Sequence, residues 1–316
     1  MIMKMVASLF SGIGGIDLGF QQAGCKIVWA NEFDRDAAIT YRSNFPNALL
    51  IEEDIRKVKS DSIPDFDILV AGFPCQPFSI VGKQRGFDDP RGNLFFEIAR
   101  ILDRKRPAVV FLENVQNLIE HDKGKTFLVI YNALVQFGYY VNYKVLDSQL
   151  YGNIPQQRKR IYIVGFLDCN MSDNFGFPDE IPLTKQLKDI IDRSVRHNEK
   201  YYYDSSSFWY EDLVKTVVDP KALYKINDHG VSAKKYFVCP TLMANMGTYP
   251  DRIPVLKDDF GIRKLTPHEC LALQGFPSEF AFKGISLNSA YKQCGNSVTV
   301  PVIKRIADAI LRAFGS

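Results

Sequence analysis

Cys75 lies in the stretch GFPCQPFS at 72–79, with Pro74 before it, Pro77 two residues after it and an apolar run at 67–71 leading in. A lone cysteine is more often a small buried hydrophobe. Here the flanking prolines stiffen the backbone and place the thiol at the mouth of a strand. A thiol with the ordinary pKa of about 8.5 is a few per cent thiolate at neutral pH, enough to attack an electrophilic carbon. A cysteine hydrolase would need a histidine base with an orienting partner, and His121, His197, His229 and His268 all lie in polar stretches without that context. The next apolar run ends instead in Glu113-Asn114-Val115, and QQRKR further on supplies Arg158 and Arg160. A partly buried acid can hand a proton to a ring nitrogen, and guanidinium groups suit a carbonyl or carboxylate. Such a set attacks an electron-poor ring more readily than an amide.

A second group of residues has the character of a nucleoside site. The turn FSGIGG at 10–15 follows an apolar run at 6–10, so backbone at Gly12, Gly14 and Gly15 can approach a ligand beside a helix N-terminus. It is neither a full dinucleotide fingerprint, since Asp17 stands where glycine would be needed, nor a phosphate-binding Walker loop, since no GK[ST] follows. Glu32 falls 20 residues after Gly12, past a second short run, and Asp54 follows a third at 49–52. In a doubly wound sheet these three features meet at the carboxyl ends of the strands, around an adenosine of some kind.

The elements that must hold these groups are legible as a rhythm. Apolar runs at 6–10, 26–30, 49–52, 67–71, 108–112, 138–146 and 161–166 predict strands, and patterns at 16–23, 35–44 and 94–104 predict helices. Alternation of this kind predicts an open α/β sheet. From 168 to 262 the rhythm breaks into scattered prolines and the aromatic tract YYYDSSSFWY at 201–210, which reads as a smaller, irregular domain. A last amphipathic helix at 301–314, apolar at Val302, Ile306, Ile310 and Phe314, is expected to pack back onto the first domain. The expected division is 1–167, 168–262 and a returning segment 263–316.

Composition narrows the classes. With 316 residues, 46% hydrophobic and 24% charged, the chain has the make-up of a globular protein with a sizeable core. No apolar run approaches the roughly 20 residues of a membrane helix. The six cysteines form no CxxC or CxxH pair, so a zinc site is not expected and no disulfide framework is needed. The chain reads as a soluble protein of the reducing cytoplasm. The net charge of +3 would not by itself indicate nucleic acid, although 76–106 carries seven basic against four acidic side chains.

Taken in order, FSGIGG, Glu32, Asp54, GFPCQPFS, GNLFFEIARIL at 92–102, ENV at 113–115, PQQRKRIYIVG at 155–165, RKLTPHECLALQGFP at 263–277 and AYKQCGNSV at 290–298 resemble the characteristic blocks of bacterial DNA (cytosine-5)-methyltransferases. The resemblance covers nearly the whole chain outside 168–262. It implies a Rossmann-like domain dependent on S-adenosylmethionine, joined to a smaller target-recognition domain at 168–262.

By that resemblance Cys75 adds to carbon 6 of a cytosine flipped out of double-stranded DNA, and carbon 5 then takes the methyl group. Glu113 contacts ring N3 and the exocyclic amine, with Arg160 supporting it and Arg158 counted in the same catalytic set. For the cofactor, the resemblance implies Phe10 and Phe33 at the adenine, Glu32 on the ribose, Asp54 on the adenine amino group, Gly12, Gly14 and Gly15 beside the methionine, and Ile55, Pro74, Asn296 and Val298 completing the pocket. Ser79, Lys83, Arg85 and Arg91 in the loop after the cysteine are implied to meet DNA, as is Thr241 of Pro240-Thr241-Leu242 in the variable region. A monomer acting at the nucleoid, with a possible cognate restriction endonuclease, completes that expectation. Two other readings stay open on sequence. A transfer-RNA methyltransferase would share the blocks but carry Cys-Phe-Thr, where this chain has Val238-Cys239-Pro240. A DNA-binding regulator that had lost catalysis would not need Cys75, Glu113 and Arg160 together.

Overall fold

The computed structural model describes residues 3–73, 94–249 and 251–315. The chain packs as two compact units, one of Met1–Leu146, Lys159–Asp179 and Val302–Ser316, the other of Asp147–Arg158 and Glu180–Pro301. The segment expected to return from 263 onward is therefore shared: residues to 301 belong to the second unit, and those from 302 to the first.

The first unit is built on a seven-stranded sheet. In chain order its strands are β1 (Met5–Leu9), β2 (Lys26–Asn31), β3 (Leu49–Ile51), β4 (Ile68–Gly72), β5 (Val109–Val115), β6 (Tyr140–Asp147) and β7 (Lys159–Phe166), and in space they lie 3-2-1-4-5-7-6. β1 to β5 pair in parallel, while β7 runs antiparallel to β5. The helices of this unit are α1 (Gly15–Gln22), α2 (Arg35–Asn44), α3 (Leu94–Lys105), α4 (Lys125–Gln136), α6 (Cys169–Asn174) and most of α10 (Val300–Ala313). The central strands read as unbroken apolar runs because both faces are covered: Val6, Ala7, Leu9, Ile68 to Ala71 and Val109 to Leu112 are fully buried. This is the α/β architecture that the sequence rhythm predicts.

Register decides what the sheet presents at its carboxyl edge. Leu9 pairs with Asn31 and with Ala71, Asn31 pairs with Ile51, and Gly72 pairs with Glu113, so the loops after five parallel strands emerge side by side. β5 runs further than its apolar run predicts. Glu113 and Asn114 are strand residues, Glu113 paired with β4 on one side and β7 on the other, and Asn114 with β7. α4 falls in a stretch where no helix was expected from periodicity, and it buries Phe127, Ile130, Ala133 and Leu134. α10 buries Val302, Ile306 and Ile310 as its pattern predicts, and Ile303 lies so close to α1 that a Cβ on Gly19 would meet it at 2.5 Å.

The second unit comprises α5 (Ser148–Gly152), α7 (Tyr210–Thr216), α8 (Pro267–Ala272), α9 (Leu287–Asn296) and two small antiparallel ladders, β8 (Ile226–Asn227) with β9 (Gly230–Val231) and β10 (Val255–Lys257) with β11 (Ile262–Lys264). Its core gathers Leu213, Val217, Ala222, Tyr224, Ile226 and Val255, with Tyr203 and Trp209 of the aromatic tract packed against it. A buried ion network fixes β11 to α8. Arg263 is 0% exposed and donates to Asp258 Oδ2 at 2.7 Å and to the two Glu269 oxygens at 2.8 and 2.9 Å. Glu269 also closes a capping box with Thr266 at the start of α8. Removing one partner leaves uncompensated buried charge, so Arg263→Met is expected to cost about 3–5 kcal/mol in urea unfolding. A loss below about 1 kcal/mol would show that the two carboxylates do not depend on the guanidinium.

Candidate active site

Glu113 is 9% exposed, and its Oε1 lies 3.1 Å from Arg160 Nε. The strands set this pair directly. Glu113 stands opposite Tyr162, and Arg160 opposite Val115, so the two charged residues are diagonal neighbours across β5 and β7. On its other side Glu113 is in register with Gly72, and a Cβ on Gly72 would lie 3.6 Å from Glu113 Oε2. Cys75 follows Gly72 by three residues. The next strand residue, Asn114, is buried and donates from its Nδ2 to the Phe73 carbonyl at 2.8 Å. That bond ties the exit of β4 to β5 two residues before the cysteine. Sequence reasoning did not single out Asn114, whose signal is an amide beside the acid in an otherwise apolar strand. Pro74, Cys75, Ser79, Lys83, Arg85 and Arg91 themselves lie outside the described residues.

At the other end of the carboxyl edge the glycine turn and Glu32 form one structure. Gly12 N donates to Glu32 Oε2 at 2.7 Å, and Phe33 N and Asp34 N donate to Oε1 at 2.7 and 2.6 Å. Burial pushes the Glu32 carboxyl above its usual range, and these amide bonds pull against that shift. Phe10 takes a left-handed backbone conformation, φ 54°, sparsely populated for a bulky residue and characteristic of ligand sites. Gly14 must be glycine because a Cβ there would stand 2.2 Å from the Phe45 ring. At Gly12 no atom of the described residues lies within 4 Å of the Cβ position, so the turn is open towards them there. Phe33, 73% exposed, offers an aromatic face. A carboxylate for a diol, an exposed aromatic ring and an open glycine turn suit an adenosine-containing ligand.

Asp54 and Ile55 are placed less simply. The Asp54 carboxylate is held by Arg56, with Nε at 2.9 and 3.0 Å and Nη2 also bonded, and it caps the following turn through Arg56 N at 3.0 Å. Those bonds lower it to about 2. A purine amino group would share this carboxylate with Arg56. The Ile55 side chain is 2% exposed and belongs to the apolar core.

A profile of the C-5 cytosine-specific DNA methylases matches residues 4–312. The chain belongs to that family. It is a DNA cytosine-5 methyltransferase. Among curated relatives, the Type II methyltransferase M.Bsp6I of Bacillus sp. (strain RFL6) is 50% identical over 99% of this chain and 100% of its own length. The Type II methyltransferase M.SsoII of Shigella sonnei is 40% identical over 98% of this chain and 80% of its own. Among solved structures, the S. pombe Dnmt2 methyltransferase superposes with a TM-score of 0.77 at 20% identity, covering 99% of this chain and 100% of that one, a likeness of fold.

In the methyltransferase, two residues expected to share one catalytic set are separated. Arg160 pairs with Glu113 in the first unit, whereas Arg158, in the second, is 2% exposed and donates to backbone carbonyls: Leu242 at 2.8 Å, Gly295 at 3.2 Å and Ser297. Arg158, counted with Arg160 in the expected catalytic set, thus has its guanidinium engaged by backbone carbonyls. Thr241 keeps a half-buried hydroxyl that donates to the Gln157 carbonyl at 2.5 Å. Asn296, exposed at the end of α9, and Val298, 5% exposed, are also carried by the second unit.

Beneath the glycine turn lies a carboxylate that sequence reasoning treated only as a departure from a fingerprint. Asp17 on α1 is fully buried, receiving Ser8 Oγ at 2.6 Å and Tyr41 OH at 2.5 Å. The Tyr41 ring stacks on Phe45, the residue that abuts Gly14. Burial raises Asp17 from 3.8 to about 6 against the opposing hydrogen bonds. Since the folded pKa exceeds the unfolded one, its contribution to stability is full below pH 4 and is lost as pH rises through about 6. Relative to Asp17→Asn, the parent should lose about 3 kcal/mol between pH 3.5 and 7. Urea midpoints measured in parallel test this, and superimposable pH profiles for the two proteins would refute it.

Proposed function

We propose that the methyltransferase modifies one cytosine, everted from duplex DNA, within a short specific sequence, with S-adenosylmethionine as donor and Cys75 as covalent nucleophile. The observation that carries this reading is Glu113, buried, ion-paired to Arg160 and in register with the strand residue that precedes Cys75 by three positions. An acid so placed meets the edge of a pyrimidine whose carbon 6 faces the thiol. The Cys75 thiolate adds to carbon 6, Glu113 hands a proton to N3 as charge develops on the ring, and carbon 5 becomes nucleophilic. Arg160 keeps the Glu113 carboxyl aimed and is suited to the base carbonyl. After methylation a base takes the carbon-5 proton, the electrons of that C–H bond re-form the ring double bond as the carbon 6–sulfur pair returns to Cys75, and N3 gives its proton back to Glu113.

S-adenosylmethionine, when bound, supplies a methyl group on an electrophilic sulfonium centre. The turn at Gly12, the Glu32 carboxylate and the aromatic Phe10 and Phe33 would hold its adenosine, with Gly14, Gly15, Asp54, Ile55 and Pro74 completing the set proposed on this unit. From β2, which precedes Glu32, to β5, which carries Glu113, is three strand spacings, about 14 Å. That interval accommodates a nucleoside at one end and a target base at the other.

Everting a base costs a few kcal/mol and calls for contacts that secure the opened duplex. We assign phosphate contacts to Ser79, Lys83, Arg85 and Arg91, and sequence reading to the second unit around Thr241. There Met243 is 54% and Tyr249 76% exposed, so apolar and aromatic surface is available to base edges. No helix among the described residues is long and apolar enough to cross a membrane. We propose a monomer, since DNA is asymmetric about an everted base, working on chromosomal DNA in the cytoplasm. The Type II class of its relatives points to a cognate restriction endonuclease.

Incubation with methyl-labelled donor and either mixed-sequence duplex DNA or total transfer RNA tests the substrate, with label expected in DNA. Label confined to RNA would overturn the proposal. Cys75→Ser should abolish transfer and retain DNA binding, and Glu113→Gln should lower kcat by about 10²–10⁴. Parental rates in either variant would remove that residue from the chemistry. DNA affinity should fall with salt by a log–log slope of about −0.9 per phosphate contacted; a flat response would contradict the cationic contacts.

A further inference from the structure

The segment Pro155 to Arg158 is bonded on two sides within the second unit. Towards the variable region, Cys239 N donates to the Pro155 carbonyl and Gln157 N to the Cys239 carbonyl, both at 2.7 Å. Thr241 Oγ1 donates to the Gln157 carbonyl at 2.5 Å, and Arg158 Nη1 to the Leu242 carbonyl at 2.8 Å. Towards the C-terminal blocks, Gln156 Nε2 reaches the Leu273 carbonyl at 2.8 Å, and Arg158 reaches the carbonyls of Gly295 and Ser297. The crossing is close: a Cβ on Gly295 would lie 2.1 Å from the Met243 carbonyl group. Arg158 is thus one buried guanidinium shared by the Thr241–Leu242 element and the end of α9. The chain then leaves this unit, and two residues after Arg158, Arg160 forms the ion pair with Glu113.

We propose that Arg158 is a positioning residue that transmits target recognition to catalysis, so that the correct DNA sequence is read out in kcat and not only in affinity. This rests on the assignment of Thr241 to the DNA-reading surface and of Glu113 to the base. The Thr241–Leu242 element cannot shift on DNA without straining its bonds to the Gln157 carbonyl and the Arg158 guanidinium. Gln157 and Arg158 directly precede the strand that carries Arg160, whose guanidinium aims the Glu113 carboxyl. A mismatched site that seats Thr241 wrongly therefore displaces the catalytic acid, and a 1 Å displacement can cost 10²-fold in rate. The arrangement uses a planar fork whose separate nitrogens reach carbonyls of different segments, a geometry that lysine's single compact ammonium does not reproduce.

The test uses the full-length enzyme, saturating S-adenosylmethionine and a duplex library randomised around one fixed cytosine, with bisulfite sequencing giving a methylation rate for every sequence. At saturating enzyme the parent should favour its cognate sequence over single mismatches, and in Arg158→Lys that ratio should shrink at least tenfold. Cognate kcat should fall while S-adenosylhomocysteine affinity changes less than twofold. A merely structural defect lowers the active fraction and scales all rates alike. Thr241→Val, which removes the bond to Gln157 and leaves Arg158 in place, should also shrink the ratio, and covers the case of a poorly folding Arg158 variant. An unchanged ratio in a folded variant would overturn the proposal. A parent enzyme that methylates no DNA would instead overturn the function on which it rests.

Discussion

The site depends on the antiparallel pairing of β7 with β5. Were β7 parallel to its neighbour, its first residues would emerge at the opposite edge of the sheet, and Arg160 would be a strand length away from Glu113. Run the other way, its start meets the end of β5, with Arg160 opposite Val115 and diagonal to Glu113. The resulting ion pair is mostly covered, 15% and 11% exposed on its two sides, so desolvation offsets much of its Coulomb energy. Its value is directional. It holds a carboxyl at a fixed place beside the strand that leads to the cysteine.

The glycine-turn end of the carboxyl edge follows a different principle, in which the backbone is shaped so that polar groups remain available. Glu32 accepts three amide bonds from its own turn and from the glycine turn opposite, fixing both loops before any ligand arrives. Phe10 bears a left-handed conformation and Gly14 sits against Phe45 with no room for a side chain. Asp17 underlies this arrangement at the cost of a buried carboxyl, satisfied by Ser8 and by the same Tyr41 that stacks on Phe45. Rigid loops of this kind lessen the ordering cost of binding.

Much of the first unit was legible because its central strands are buried on both faces and therefore appear as apolar runs, and because α2 and α10 carry clear helical periodicity. α4 carries no such clear period although it packs on the same core. Its apolar residues are interrupted by exposed Leu128, Val129 and Val135, which blur the period. The second unit was legible only as an irregularity, since its core is assembled from single residues such as Leu213, Tyr224 and Val255 that lie far apart along the chain.

The amino-acid sequence by itself determined which groups are available: a thiol between prolines, an acid at the end of an apolar run, a glycine turn and an acid 20 residues on. These are local facts, set by side-chain chemistry and by the periodicity that burial imposes on a strand. Tertiary structure decided how those groups are used. Arg158 and Arg160 are equivalent in sequence, yet one is engaged by carbonyls from distant segments and the other faces Glu113. Asp54 is bound by Arg56, and Asp17 is drawn into the interior. None of this can be read from spacing, because the partner that assigns each charge its role is brought to it only when strands and helices remote in the chain come together.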